Sequence, residues 1–89
     1  MFCVYILESN KDKDLYIGFT TNLKRRLTEH NTGKNKSTKP YIPWKCIYCE
    51  YSVNEEDARR REKYFKTSQG RRFLRRRIKE YLYNRRRAS

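Results

Sequence analysis

The stretch FCVYILESNKDKDLYIGF, residues 2–19, decides the fold. Its two ends, FCVYIL and LYIGF, are rich in β-branched and aromatic residues, which favour strands. The polar cluster between them, SNKDKD, is typical of a turn. The sequence therefore predicts a β-hairpin, which we interpret with a four-residue loop at Ser9 to Asp12.

The register of this hairpin decides which side chains meet. With the four-residue loop, Leu7 pairs with Asp14, and Tyr5 faces Tyr16 across the ladder on the same face of the sheet. Gly18 lies on that face as well. Its missing side chain leaves room for another group to approach closely.

The segment TTNLKRRLTEHN, residues 20–31, predicts a helix that Thr21 or Asn22 caps and Gly33 ends. Leu23, Leu27 and His30 stand at i, i+4 and i+7 and share one face of it, with Arg26 at the border of that face. A basic loop with two prolines, KNKSTKPYIP, follows. The helix therefore presents an arginine and a histidine near its apolar side.

The segment WKCIYCEY, residues 44–51, predicts a third strand. Its two cysteines, Cys46 and Cys49, form a CxxC spacing, but no second Cys or His pair follows to complete a zinc site. In a regular strand, residues i and i+3 point to opposite faces. We therefore expect thiols that pack in the core.

The next segment, SVNEEDARRREKYFKTSQG, predicts a second helix, with Ser52 and Glu55 as a capping box and Gly70 as its end. A third helix is expected over residues 71–84, where the apolar residues form one stripe, and a frayed basic tail over residues 85–89. The stripe consists of Leu74, Ile78, Tyr81 and Leu82.

One acid in the second helix is not explained by capping. Ala58, Glu62 and Phe65 stand at i, i+4 and i+7, so Glu62 lies on the side of the helix that faces the core. A carboxylate at such a position is costly unless it is paired or binds a metal. Spacing alone leaves both readings open, a salt bridge to a nearby arginine or a metal ligand.

The composition points to a polyanionic partner. A formal net charge of +13 over 89 residues repels itself unless a polyanion offsets it. Nucleic acid is the leading partner, an acidic membrane surface the second, and a basic protein without a specific ligand the third. No apolar run is long enough to span a membrane, and the start lacks the features of a signal peptide, so we expect a cytoplasmic protein.

Taken in order, these pieces resemble the GIY-YIG nuclease superfamily, specifically its small single-domain members. The resemblance runs from about Phe2 to Phe73. It rests on VYI and YIG in the hairpin, on NLKRRLTEHN, on PWKCIYCEY and on ARRREKYFK. It departs from the family in having Val4 in place of a glycine, and in lacking an asparagine some dozen residues after Glu62.

The resemblance implies an α/β domain over residues 1–84, with a small, three-stranded, mostly antiparallel sheet flanked by three helices. The residues 85–89 would form a basic C-terminal tail. It also implies a metal-dependent DNA endonuclease that is structure-selective or weakly sequence-specific and acts in DNA repair or processing. The alternatives are a basic module that binds DNA or RNA without cutting efficiently, and an RNA-associated protein.

The resemblance also implies roles for single residues. Glu62 would hold a single Mg²⁺ or Mn²⁺ ion, weakly unless the substrate is bound. Arg26 would pair with the scissile phosphate, and Tyr5 or Tyr16 would position or deprotonate water, with Arg26 and the metal favouring the phenolate. His30 would accept or relay a proton, or else simply pack.

A further set of residues is expected to follow the nucleic-acid backbone. Gly18 would give the phosphate access, and the basic side chains of the loop and of the third helix would contact phosphates with low sequence specificity. These basic side chains are Lys34, Lys36, Lys39, Arg71, Arg72, Arg75, Arg76 and Arg77.

Overall fold

The computed structural model describes residues 1–88, with side chains through residue 85. It confirms the α/β class with a three-stranded antiparallel sheet in the order β2-β1-β3. The elements are β1 (Phe2–Ser9), β2 (Leu15–Thr20), α1 (Leu23–Asn31), β3 (Trp44–Ser52), α2 (Glu55–Phe65), α3 (Ser68–Arg77) and α4 (Lys79–Ala88), with a short 3-10 turn at Lys39–Tyr41. None of the helices in this described part is long and apolar enough to cross a membrane.

The central strand β1 divides two cores. Val4 and Ile6 point to one side and pack with Ala58 and Phe65 of α2 and Leu74 of α3. The alternate residues point to the other side, which α1 covers, because side chains alternate along a strand. Cys3, Tyr5 and Leu7 lie there with Trp44, Leu23 and Leu27. We call these two sides the α2 face and the α1 face of the sheet.

The hairpin register differs from the predicted one by two residues. Leu7 pairs with Tyr16, and Tyr5 pairs with Gly18. The loop is longer than four residues because the Ser9 hydroxyl accepts hydrogen bonds from two backbone N–H groups within it, and the Ser9 N–H donates to the Asp14 carbonyl at 2.8 Å. A shift of two keeps every side chain on its face, so Tyr5 and Tyr16 still share one side.

The start of α2 corrects the predicted capping box. Ser52 is the last residue of β3 and pairs with Phe2, so it cannot also cap the helix. Asn54 is the cap, and its side-chain oxygen accepts from the N–H groups of Glu56 at 2.8 Å and Asp57 at 3.2 Å. The acids at 55–57 occupy the first turn as predicted, where the helix dipole favours them.

Gly70 does not end α2, contrary to the prediction. The helix ends at Phe65, and Thr67 caps α3 by accepting a hydrogen bond from the Gly70 N–H at 3.1 Å. A Cβ atom at Gly70 would lie 1.9 Å from the carbonyl oxygen of Tyr64. The glycine therefore lets the first turn of α3 press against the last turn of α2.

The predicted third helix is two helices. The chain breaks at Ile78, whose φ of −116° and ψ of 34° are not helical, and α4 then runs on through residues 85–88. The predicted frayed tail is therefore helical up to Ala88, and Ser89 lies outside the described residues. The domain boundary predicted at residue 84 falls within α4 and stays a prediction.

The prediction that Cys46 and Cys49 point to opposite faces is wrong. Cys49 pairs with Tyr5 and Cys46 pairs with Leu7, so one extra residue of β3 bulges between them. Both thiols therefore join Cys3 on the α1 face. Burial raises the pKa of Cys3 to about 11 and also raises that of Cys46. Protonated thiols of this kind suit packing.

Candidate active site

Three predicted site residues converge on the α1 face. β1 presents Tyr5, β2 presents Tyr16, and α1 presents His30 on the same side as its packed leucines. The Tyr5 hydroxyl lies 3.0 Å from Nε2 of His30. The ring centroid of Tyr16 lies 6.2 Å from that of Tyr5 and 4.8 Å from that of His30. Tyr5 and His30 are fully buried, whereas Tyr16 is half-buried.

The glycine opposite Tyr5 makes this packing possible. A Cβ atom at Gly18 would lie 2.4 Å from both Cζ and the hydroxyl oxygen of Tyr5. The space left by the missing side chain is therefore filled by the phenol ring. Gly18 is thus a positioning residue for Tyr5, and its predicted contact with a phosphate stays a prediction.

Arg26 lies beside this cluster. Its Nη1 donates to Glu29 Oε1 at 2.9 Å, and its side chain is 36% exposed. The Glu29 carboxylate and then the hydrogen-bonded Tyr5 hydroxyl raise the pKa of Arg26, and Tyr16 adds to this effect. One guanidinium is therefore held next to both tyrosines and remains within reach of a ligand at the surface.

Burial dominates the ionisation of Tyr5. It raises the pKa of Tyr5 to about 12, although the hydrogen bond from Arg26 acts to lower it. Arg26 thus acts in the predicted direction, but in the described structure it does not yield a phenolate at neutral pH.

Both ring nitrogens of His30 are occupied. Nδ1 lies 2.9 Å from the Thr38 hydroxyl oxygen, and that hydroxyl donates to the Asn35 carbonyl at 3.4 Å. Nδ1 is then the donor to Thr38, and Nε2 accepts from Tyr5. Burial, followed by the charge of Arg26, lowers the pKa of His30, so the ring is neutral.

Thr38 and Trp44 belong to the site, although no sequence pattern predicts them there. Thr38 is 2% exposed, and its carbonyl accepts from the Trp44 indole N–H at 2.9 Å. The Asn31 side chain accepts a hydrogen bond from the Trp44 backbone N–H at 2.7 Å and donates one to the Trp44 carbonyl at 2.9 Å. A threonine in a lysine-rich loop carries no local signal of burial, so only tertiary structure reveals this role.

Glu62 lies apart from the cluster. Its side chain is 19% exposed, and its carboxylate pairs with Lys66 at 3.4 Å rather than with an arginine. Arg59, three residues earlier, stacks at 3.8 Å on Phe19 of β2, so this side of α2 faces the edge strand that carries Tyr16. Among the described residues, no contact joins Glu62 to the four others.

The carboxylate of Glu62 fits a single hard cation. It is partly buried and its one ion pair is long, so its oxygens are available to a ligand. Over residues 1–88 no group of three or more His, Cys, Asp or Glu side chains is arranged to hold a metal. Mg²⁺ is often bound by only one or two carboxylates, with waters and phosphate oxygens completing its shell.

Comparison with known proteins identifies the family. A family model described as the GIY-YIG catalytic domain matches residues 1–75. The chain belongs to the GIY-YIG family. A UPF0213 protein of Streptococcus agalactiae serotype V is 45% identical over 64 residues, which cover 71% of this chain and 72% of that protein. One of Clostridium perfringens is 44% identical over 64 residues, covering 71% and 68%.

The GIY-YIG fold is also matched by a solved structure. The solution NMR structure of the UPF0213 protein BH0048 from Bacillus halodurans gives a TM-score of 0.51 at 32% identity, covering 83% of this chain and 82% of that one. The GIY-YIG domain defines a nuclease superfamily whose members act on nucleic acid and generally depend on a divalent metal. All five predicted catalytic positions lie within the matched range, whereas α4 lies beyond it.

The basic residues expected to bind nucleic acid do not form one surface on this GIY-YIG domain. Lys34, Lys36 and Lys39 are exposed in the loop that follows α1. Arg72 and Arg75 are exposed on α3, which packs against the α2 face. Arg71 is instead engaged within the fold, where its Nε donates to the Phe65 carbonyl at 2.9 Å.

Proposed function

We propose that this GIY-YIG protein is a Mg²⁺-dependent DNA endonuclease that hydrolyses phosphodiester bonds, in the cytoplasm and with low sequence specificity. The observation that carries the proposal is the placement of Arg26 beside two tyrosines on the α1 face. A guanidinium that is held in place and partly exposed is suited to bind a phosphate and stabilise the charge that grows on it.

Tyr5 and Tyr16 differ in solvent exposure, and this difference assigns them different roles. Tyr5 is fully buried, so it cannot meet a water molecule at the scissile phosphate. Tyr16 is half-buried at the edge strand and packs against His30, so it is the tyrosine that positions the attacking water. Tyr5 and His30 act as positioning residues that hold the side chains of Arg26 and Tyr16 in place.

Glu62 would hold the ion at the other side of the edge strand. A bound Mg²⁺ supplies positive charge that polarises the phosphate and offsets the charge of the leaving oxygen. Arg26 must exchange Glu29 for the phosphate, and its exposed fraction leaves room for that exchange. A single carboxylate binds Mg²⁺ weakly, so we expect metal affinity to rise when nucleic acid is present.

The experiment uses supercoiled plasmid together with branched and single-stranded DNA and a matched RNA, each with Mg²⁺. We expect Arg26→Ala and Glu62→Gln to lower the cleavage rate by about 10²-fold or more, as for the removal of one charge-stabilising group. Arg25→Ala is the matched control, because its side chain is 69% exposed and faces the same Glu29. Cleavage by the wild type no faster than by Glu62→Gln would refute the nuclease function.

A second candidate is a basic module that binds nucleic acid and cuts poorly. It is favoured by the raised pKa of Tyr5 and by the lack, among the described residues, of a contact between Glu62, which pairs with Lys66, and the tyrosine cluster. It predicts tight, salt-dependent binding of DNA or RNA in the same assay, with cleavage unaffected by Arg26→Ala.

A further inference from the structure

We propose that the shallow, open groove where α3 meets α4 is a second nucleic-acid-binding surface, which holds a duplex segment other than the one at Arg26. The groove is lined by four cations, Arg72, Arg75, Arg76 and Lys79, and we call it the α3–α4 groove. The inference rests on the proposed function, and it adds a substrate class: nucleic acid that offers two duplex arms, such as a branch.

The first observation is that these cations are not neutralised within the fold. The ion pairs among the described side chains involve other elements, with Arg25 and Arg26 on Glu29, Arg59 on Glu55, Arg60 on Asp57, Arg61 on Glu50, Lys66 on Glu62 and Arg85 on Glu8. α3 has no acid in its sequence, SQGRRFLRRR. Glu80 follows on α4, but among the described residues it pairs with none of the four.

The contrast is with exposed arginines on α1 and α2 that do have an acidic partner. Arg60, for example, is 72% exposed and still pairs with Asp57 at 2.6 Å. Acids three or four residues away on the same helix stabilise such cations. α3 has no acid to offset the repulsion among its arginines. Their positive charge therefore stays available to a polyanion.

The second observation is the position of the groove. α3 packs on the α2 face through Leu74, whereas Arg26, Tyr16 and Tyr5 lie on the α1 face. The sheet therefore separates the two sites. A straight duplex that contacts Arg26 cannot also lie along α3, so the groove must hold a second arm or a second duplex.

The chemistry of the groove favours phosphates over a lipid surface. An amphipathic helix that binds a membrane presents large apolar side chains next to its basic ones. The apolar residues of α3, Phe73 and Leu74, are instead packed into the core. The outer side of α3 offers guanidinium groups, which bind phosphate oxygens in a two-pronged manner.

The experiment measures binding without cleavage, in EDTA, with a labelled 12-base-pair duplex titrated against the full chain at several salt concentrations. The test variant is Arg72→Gln/Arg75→Gln/Arg76→Gln. The control variant is Arg25→Gln/Arg59→Gln/Arg60→Gln, which removes the same charge from exposed but ion-paired positions.

We expect two duplexes per chain for the wild type and for the control, and one for the test variant. The slope of log K against log salt for the site that is lost should correspond to about three phosphate contacts, at roughly 0.9 per contact. A four-way branched DNA should lose at least tenfold more affinity in the test variant than in the control.

Three outcomes would overturn the proposal. These are one duplex per wild-type chain, equal losses in the two variants, and, when anionic lipid vesicles replace the duplex, a loss of vesicle binding in the test variant with duplex binding unchanged. Because no cleavage is measured, failure of the nuclease function would leave these results unaffected. Conversely, Glu62→Gln should retain both binding events even where it abolishes cutting.

Discussion

The hydroxyl of Tyr5 lies 3.0 Å from Nε2 of His30, although 25 residues separate them in the chain. Neither group ionises easily, because burial raises the pKa of the phenol and lowers that of the imidazole. The pair is therefore a neutral hydrogen bond inside the fold. In this hydrogen bond Tyr5 donates and Nε2 accepts. Thr38 fixes that direction, because its hydroxyl oxygen accepts a hydrogen bond from Nδ1 on the other side of the ring.

The first prediction concerns that direction. Thr38→Val removes the acceptor for Nδ1, so His30 should lose its preference for the tautomer protonated at Nδ1, while Thr38→Ser should retain it. Nitrogen chemical shifts of the His30 ring measure this directly. Cleavage should fall about tenfold in Thr38→Val and recover in Thr38→Ser, since hydrogen bonds that orient a group act at this scale.

A purely structural role for Thr38 has a different outcome. Thr38→Val would then lower the unfolding midpoint without moving the ring nitrogen shifts. Equal shifts in the wild type and Thr38→Val would contradict the assigned tautomer.

The second prediction is a loss of stability in mild acid that depends on His30. The ring has a lowered pKa when folded, so as pH falls through about 6.5 the unfolded chain takes up the proton first. The free energy of unfolding should therefore decrease from about pH 7 towards the lowered pKa of folded His30. Urea unfolding of the wild type and His30→Gln between pH 5 and 8 measures this, and the variant should lack the decrease.

A second loss of stability, at lower pH, should remain in both the wild type and His30→Gln. Burial acts to raise the pKa of Glu50, but its hydrogen bonds to Arg61 and Tyr48 outweigh this and hold it below 4.5. The stability from Glu50 is present above that value and is lost as pH falls through its folded pKa. Identical slopes for the wild type and His30→Gln between pH 5 and 8 would show that His30 is not the group responsible.

The sequence predicted the sheet, its two faces and the inward side of α1, because those follow from the alternation of β1 and the leucine spacing of α1. It did not predict the hairpin register, which depends on hydrogen bonds of the Ser9 side chain within the loop. A shift of two residues leaves every face unchanged, so the Tyr5–Tyr16 side was right although their direct pairing was wrong.

Two errors in the second half share one cause, a feature that only the tertiary fold requires. A glycine after a helical segment predicts a helix end, but at Gly70 the missing side chain allows the close approach of two helices. The bulge in β3 likewise changes the face of Cys46 without any Gly or Pro to mark it. Within the site, local sequence predicts Tyr5, Tyr16, Arg26 and His30. It does not predict the buried Thr38, which orients the His30 ring.

The third prediction tests the role of Gly18. A Cβ atom there overlaps the Tyr5 phenol, so Gly18→Ala should destabilise the fold by about 1–3 kcal/mol, as for overpacking in a core. The cost should nearly vanish in a Tyr5→Ala background, because the overlapping group is gone. Denaturant unfolding of the wild type, Gly18→Ala, Tyr5→Ala and the double variant measures the four free energies of unfolding that this comparison needs. If Gly18 instead only gave phosphate access, Gly18→Ala would weaken DNA binding and leave stability unchanged.

The fourth prediction concerns the attachment of α4 to the sheet. Glu8 on β1 is only 1% exposed, and its carboxylate accepts a hydrogen bond from the Tyr81 hydroxyl at 2.6 Å and pairs with Arg85. Arg85→Ala leaves that carboxylate buried with a single partner. We expect a loss of about 2–3 kcal/mol, below the ~3–5 kcal/mol for fully buried pairs because the Arg85 side chain is 30% exposed.

Two comparisons isolate the charge on Glu8 as the cause of that loss. Arg76→Ala removes an exposed arginine that has no ion pair in the described structure, and it should change stability by less than about 0.5 kcal/mol. Adding Glu8→Gln to Arg85→Ala removes the unpaired charge while keeping an oxygen for Tyr81, so it should restore most of the stability. If the double variant is less stable than Arg85→Ala alone, the carboxylate is held by Tyr81 rather than by Arg85, and α4 is attached through the phenol.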